Sequence, residues 1–230
     1  MLLGEGLETK IPDLLESVSR RVAASGGEKV FARLLRQDPL VDIARLGGFY
    51  PCIDELLYKS PARRDNGAHE VLPKTAATHL RTRRQVDQFD LFRLYNASTP
   101  SELRQLFAIT LDQWRAGQEQ FAGRCQEFVL EDGGGLRGWL RTGQRSGVGQ
   151  LAATVHPDNE DSLGPVVDFG LDQLNRSQPV YCLVPEYEVA LQRVLMDRGF
   201  EPVSEYVTLV KTIAVAAREN AHARATIASA

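Results

Sequence analysis

Residues 164–211 read GPVVDFGLDQLNRSQPVYCLVPEYEVALQRVLMDRGFEPVSEYVTLVK, and this stretch decides the fold. Gly164-Pro165 ahead of Val166, Val167, Phe169, Leu171 and Leu174 predicts a helix, because Pro is tolerated in a first turn whose amide has no partner to lose. Residues 180–184 (VYCLV), fenced by Pro179 and Pro185, form a short β-rich apolar run, the mark of a buried strand. Tyr187, Leu191, Val194 and Leu195 then share one helical face until Gly199, the expected left-handed stop. Residues 206–210 (YVTLV) predict a closing strand.

The N-terminal part of the chain follows the same order. Ile11-Pro12 opens a helical pattern carried by Leu14, Leu15, Val18 and Val22, and Ser25-Gly26-Gly27 ends it. Residues 29–35 predict a strand, Asp38-Pro39 begins a helix through Leu40, Ile43 and Leu46, and residues 53–58 predict a second strand. At a register shift of 151, Gly48-Phe49 meets Gly199-Phe200, Pro51 meets Pro202, Leu40 meets Leu191 and Ile43 meets Val194. Identities are few, and any two helix–strand–helix units share a general likeness. Element order, lengths and the Gly-Phe-x-Pro break favour a structural repeat.

Between the two copies, residues 60–88 turn basic: Arg63, Arg64, Lys74, Arg81, Arg83 and Arg84 outnumber the acids around them. Such a segment is either an arm for a phosphate-bearing partner or a solvated linker, and the lack of interleaved aromatic residues favours the linker. Residues 90–95 (DLFRLY) predict a strand. Thr99-Pro100-Ser101-Glu102 reads as a capping box starting one amphipathic helix through Leu103, Leu106, Phe107, Leu111 and Trp114. Residues 127–130, 136–141 and 150–155 predict an antiparallel meander, with glycine-rich turns at 132–135 and 143–149. Gly147-Val148-Gly149 precedes a strand rather than a helix, so it reads as a hairpin and not as a phosphate loop. Trp139 lines either a central cleft or the core. The expected units are residues 1–60, a linker at 61–88, a domain at 89–212 and an Ala-rich tail at 213–230.

A chain of 230 residues with 25% charged and 43% hydrophobic residues can bury a sizeable core. A net charge of −3 gives no global basic field for nucleic acid, and no apolar run approaches the roughly 20 residues of a membrane span. Cys52, Cys125 and Cys182 have no metal-type spacing, which predicts reduced thiols, a cytoplasmic setting and no metal site. Only 5 Lys accompany 22 Arg, the bias of a GC-rich bacterial gene.

The order of elements from residue 90 to 211, with the Gly-Phe break after the last helix, resembles the GNAT superfamily of acyl-CoA-dependent N-acyltransferases. Residues 11–59 are similar to the C-terminal half of a second such domain, so the chain resembles a tandem GNAT protein with a truncated first copy. The resemblance implies an α/β (α+β) fold with a mixed central sheet flanked by helices. It also implies acetyl-CoA or another acyl-CoA as cofactor and a small-molecule or peptide amine as acceptor.

In the family, a strand ending in Val-x-Pro leads to a Gln/Arg-x-x-Gly-x-Gly/Ala loop that holds the cofactor's pyrophosphate. Here Val155-His156-Pro157 stands in that place, and the resemblance implies cofactor contacts at Val155, Leu163, Gly164 and Val166. The loop departs from the pattern: Asp161 stands where Gln or Arg is expected, and Val166 where the second glycine is expected. Asp158, Glu160 and Asp161 would face a pyrophosphate, each like-charge pair at ~5 Å costing roughly 3 kcal/mol before screening. The family's proton-donating Tyr, four residues before the Gly-Phe pair, corresponds to Leu195, and to Ala44 in the first copy. Its frequent Asn corresponds to Glu188. Tyr187, His156, and Glu127 or Glu131 are the remaining candidates for acid and base, and each fits a packing or surface role as well.

Two readings follow. One is an N-acetyltransferase-like protein with degenerate acyl-CoA binding; the other is a non-catalytic binding or assembly module on the same scaffold. The truncated copy leaves an open strand edge, which predicts either a pseudo-twofold within the chain or a homodimer.

Overall fold

The computed structural model describes residues 10–61, 79–108, 110–121, 123–175 and 177–213. In chain order these form α1 (Ile11–Ala24), β1 (Lys29–Leu35), α2 (Leu40–Leu46), β2 (Tyr50–Ser60), β3 (Leu80–Thr82), a 3-10 turn (Gln85–Asp87) and α3 (Gln88–Ser98). There follow α4 (Ser101–Phe107), α5 (Leu111–Ala116), β4 (Arg124–Asp132), β5 (Gly135–Arg145), β6 (Val148–Val155) and a second 3-10 turn (Pro157–Ser162). The described chain ends with α6 (Leu163–Asp172), β7 (Val180–Pro185), α7 (Val189–Asp197) and β8 (Glu201–Thr212).

The strands build one sheet in the order β1-β8-β2-β7-β6-β5-β4-β3. Every neighbouring pair is antiparallel except β6 and β7. The two matching stretches therefore interleave: β8 lies between β1 and β2, and β2 lies between β8 and β7. The β2–β8 ladder maps onto itself under the 151-residue shift. Glu55 pairs with Tyr206 at its centre, Ile53↔Thr208 is mirrored by Leu57↔Ser204, and the two irregularities, at Pro51/Ile53 and Leu57/Tyr58, are placed symmetrically.

The helix ends repeat as well. Phe49 N–H donates to Ala44 O and Gly48 N–H to Arg45 O; Phe200 N–H donates to Leu195 O and Gly199 N–H to Met196 O. These are two Schellman caps, and Gly48 (φ +83°) and Gly199 (φ +77°) take the left-handed conformation that such a cap demands.

One face of the sheet carries two apolar clusters. Leu140, Leu151, Val166, Val184, Leu195 and Phe200 belong to the larger, beneath α6 and α7. Val30, Ala44, Phe49, Val207 and Leu209 form the smaller, beside α1 and α2. Leu91, Ala108, Trp114 and Val129 make a third cluster on the opposite face, where α3 to α5 lie. The α4 segment is fixed to β1 by stacking of Phe107 on Phe31, with ring centroids 5.0 Å apart, and by Lys29 Nζ donating to Gln105 O.

Several expectations change. Residues 90–95 are helical, within α3: Leu91 and Leu94 are buried three residues apart, and Phe92 and Tyr95 pack on Trp114, a helical spacing that six residues of DLFRLY could not separate from alternation. The helix expected over 101–116 breaks at Ala108, which is buried and extended. Thr99 makes no capping box; that motif sits at Thr110 and Gln113, whose side chains each accept the other's backbone N–H. In the segment expected as linker, residues 62–78 lie outside the described residues, whereas 79–88 belong to the domain. There β3 pairs with β4, and Arg81 binds Asp87 and Glu131. The β5–β6 hairpin turns at Ser146 and Gly147, so Gly143 lies within β5. Of the expected tail, residues 214–230 lie outside the described residues. Among the described residues no helix is long and apolar enough to cross a membrane.

Candidate functional site

Strands β6 and β7 pair only at Gly149↔Val180 and Gln150↔Tyr181. Beyond those two positions they separate, because β6 keeps its ladder with β5 and β7 keeps its ladder with β2. A cavity of about 780 Å³ opens there, between the sheet and α3 to α5. Its walls come from both ends of the chain: Phe31, Arg33, Ile53, Glu55 and Leu57 from the N-terminal strands, and Leu183, Tyr187, Glu188 and Tyr206 from the C-terminal ones.

Two neighbouring residues between β7 and α7 supply the titratable groups. Tyr187 is hydrogen-bonded to Thr99, and burial together with the charge of Glu188 pushes its hydroxyl up to about 12. Glu188 is the N-cap residue of α7; burial, and then the charge of Glu160, raises its carboxyl to about 7. Glu188 is thus an acid of the cleft whose proton affinity burial raises toward neutrality.

Deeper in the cleft, Glu55 is 6% exposed and accepts Arg33 Nε at 2.7 Å, Arg33 Nη2 at 3.1 Å and the Thr208 hydroxyl. Arg33 also bridges to Glu119 in the loop after α5. This network links β1, β2 and β8 and satisfies the buried carboxylate.

The residues implied by resemblance stand as follows. Val155 is buried against Gly138, and Val166 is 1% exposed in the larger core. The Leu163 amide already donates to Glu160 O in the preceding 3-10 turn. Gly164 makes room for a side chain: a Cβ there would sit 2.9 Å from Arg198 Nη2. Arg198 in turn forms a two-point pair with Asp168 at 2.5 and 2.7 Å. His156 caps the same turn, its Nδ1 accepting from the Asp158 amide at 3.2 Å. Glu127 lies apart from Tyr187 in sequence and in role, accepting Trp139 Nε1 at 3.0 Å and pairing with Arg83 at 3.4 Å. Glu131 is bound to Arg81. Leu195 and Ala44 are both buried in cores.

Tyr187 is therefore the sequence candidate placed in the cleft with a titratable neighbour. Arg33 and Glu55 are not marked by the sequence, and Glu188 is marked only as the counterpart of the family's Asn, since their burial is set by strands far apart in the chain. The loop before α6 is a poor match for the pyrophosphate of an acyl-CoA: the Leu163 amide is engaged with Glu160 O, Pro165 has no amide hydrogen, and Asp158, Glu160 and Asp161 bring negative charge. Among the described residues no group of His, Cys, Asp and Glu is arranged to hold a metal.

No protein-family model and no curated relative matches the sequence. Solved structures do match. A conserved protein of unknown function from Staphylococcus epidermidis ATCC 12228 superposes at a TM-score of 0.58, with 9% identity, over 90% of this chain and 81% of that one. A GCN5-related N-acetyltransferase from Sphaerobacter thermophilus does so at 0.55, with 16% identity, over 91% and 69%. A tandem GNAT protein from the clavulanic acid biosynthesis pathway gives 0.52, with 14% identity, over 89% and 70%. At these identities the likeness is one of architecture, and on that ground the chain has the GNAT-like fold.

Proposed function

We propose that the protein is an N-acetyltransferase-like protein that keeps the amine site of the GNAT scaffold and has a degenerate donor-phosphate site. The observation that carries this reading is the opening between β6 and β7 beside a carboxyl, Glu188, that titrates near neutrality. Such a group takes a proton from an incoming ammonium better than an ordinary carboxylate would. Tyr187, held by Thr99, remains protonated across the physiological range and can donate a hydrogen bond or a proton. The acceptor is a small-molecule or peptide amine. The setting is the bacterial cytoplasm, supported by three free cysteines.

A second reading, a non-catalytic binding or assembly module, is favoured by the loop before α6, where the Leu163 amide is already engaged and Asp158, Glu160 and Asp161 stand together. Residues 11–59 are read as the C-terminal half of a repeat, supported by the self-matching β2–β8 ladder and the paired Schellman caps. A homodimer is not needed to fill the sheet between β1 and β2, because β8 of the same chain lies there.

Calorimetry and thermal-shift titration with acetyl-CoA and free CoA separate these readings. The expected result is stabilisation that saturates only at millimolar ligand. Saturation at micromolar ligand would defeat the degenerate donor site, and no shift at millimolar ligand would defeat the transferase reading.

A further inference from the structure

Arg141 on β5 stands where the central cleft meets a second cavity of about 440 Å³, and it lines both. Its guanidinium lies over the Trp139 ring at 4.6 Å and over the Phe121 ring at 5.0 Å. Gly143, two residues along the same strand, permits this packing: a Cβ there would meet the Phe121 side chain at 2.9 Å. One donor is used, Nη1 to Glu119 O at 2.9 Å. Among the described residues no carboxylate lies within ion-pair distance of Arg141. Glu127, its cross-strand neighbour, is committed to Trp139 and Arg83. Burial also pushes the Arg141 guanidinium below its usual value. The nearest carboxylates, Glu127 and Glu119, offset part of this through charge but are themselves paired with Arg83 and Arg33; a half-buried guanidinium with no ion pair of its own presents a planar fork that matches a carboxylate edge.

We propose that Arg141 is a carboxylate-binding subsite, and that the acceptor is an amine bearing a carboxylate at its far end, such as an amino acid or short peptide. Its amine would face Glu188 and its carboxylate the free edge of Arg141. The assignment of the amine end rests on the transferase reading; the carboxylate subsite does not.

The only two tryptophans of the chain, Trp114 and Trp139, line this junction with rings 5.8 Å apart, so intrinsic fluorescence reports on it. The test titrates the full chain, without acyl-CoA, with peptides of two to four residues ending in leucine and with their C-terminal amides. The acids are expected to give a saturable change and the amides about tenfold weaker binding or none. Arg141→Gln should abolish the preference for acid, and Arg141→Lys should retain part of it. Equal response to acid and amide, no response to any peptide, or an unchanged preference in Arg141→Gln would overturn the subsite. Acetyl-CoA titration of the same samples is scored separately, so failure of the transferase reading leaves a distinct signature.

Discussion

Glu55 and Tyr206 face each other across β2 and β8 at the point where the ladder repeats itself in reverse. Under the 151-residue shift each occupies the other's place, yet one is a buried carboxylate tied to Arg33 and the other a tyrosine lining the cleft. The backbone keeps the symmetry while the side chains at its centre have separated in role.

Replacing Arg33 by Met leaves Glu55 buried with only the Thr208 hydroxyl among its present partners. Removing one partner of a buried pair costs about 3–5 kcal/mol, and the one-third exposure of the Arg33 side chain reduces this to about 2 kcal/mol. Urea unfolding should show the loss, and Glu55→Gln in the Arg33→Met background should recover part of it. A single variant as stable as the parent would contradict the network.

Glu188 predicts a pH dependence. Its folded pKa, about 7, lies above its ordinary value of 4.5, so the folded state binds this proton more tightly. Both states are protonated below about pH 4.5; as pH rises to 7, the unfolded chain ionises first and the folded state loses stability by about 1–2 kcal/mol after allowance for partial exposure. Above pH 7 the penalty is constant. The thermal midpoint of Glu188→Gln, compared with the parent from pH 5 to 8, should lack this component. Parallel pH profiles would refute the raised value.

Gly164 and Arg198 should be coupled in sign. In the parent, Gly164→Ala pushes the Arg198 guanidinium away from Asp168, offsetting the helix-propensity gain of about 1 kcal/mol. With Arg198→Ala already present, the same change should stabilise by most of that gain. A double-mutant cycle measures the coupling, and additivity within error would remove the packing role given to Gly164.

The thiols should differ in reactivity. Burial raises Cys52 to about 11 and Cys182 to about 12; Cys125 is also raised, but it is exposed. A thiol reagent at pH 8 should modify Cys125 alone in the native protein, with the other two following on denaturation. Rapid modification at Cys182 would mean that the core beneath α6 opens readily.

Most elements were legible in the sequence where one apolar face meets a core, as in residues 164–211 and in the Gly-Phe helix ends. The strand expected at residues 90–95 was not, because Leu91, Phe92, Leu94 and Tyr95 satisfy both periods over so short a span. The meander was read correctly, although its turns are tighter than expected and return Gly143 to the strand. The cleft was harder to see. The environment of Glu188 depends on Glu160 and on burial by distant segments, and Arg141 matters because Phe121 and Trp139 enclose it. Local pattern carries neither fact. The resemblance supplied Leu163 and Gly164 as donor contacts, but the acceptor that engages Leu163, Glu160 O, and the Arg198 side chain packed beside Gly164 come from three-dimensional packing.

The interleaving of β8 between β1 and β2 sets a timetable for the nascent chain. At about 5–20 residues per second, the ribosome makes β2 about eight to thirty seconds before it makes the strand that must lie beside it. Through that interval both faces of the gap carry unpaired backbone groups, so the N-terminal strands depend on late synthesis, or on a protecting chaperone, to avoid pairing with other chains.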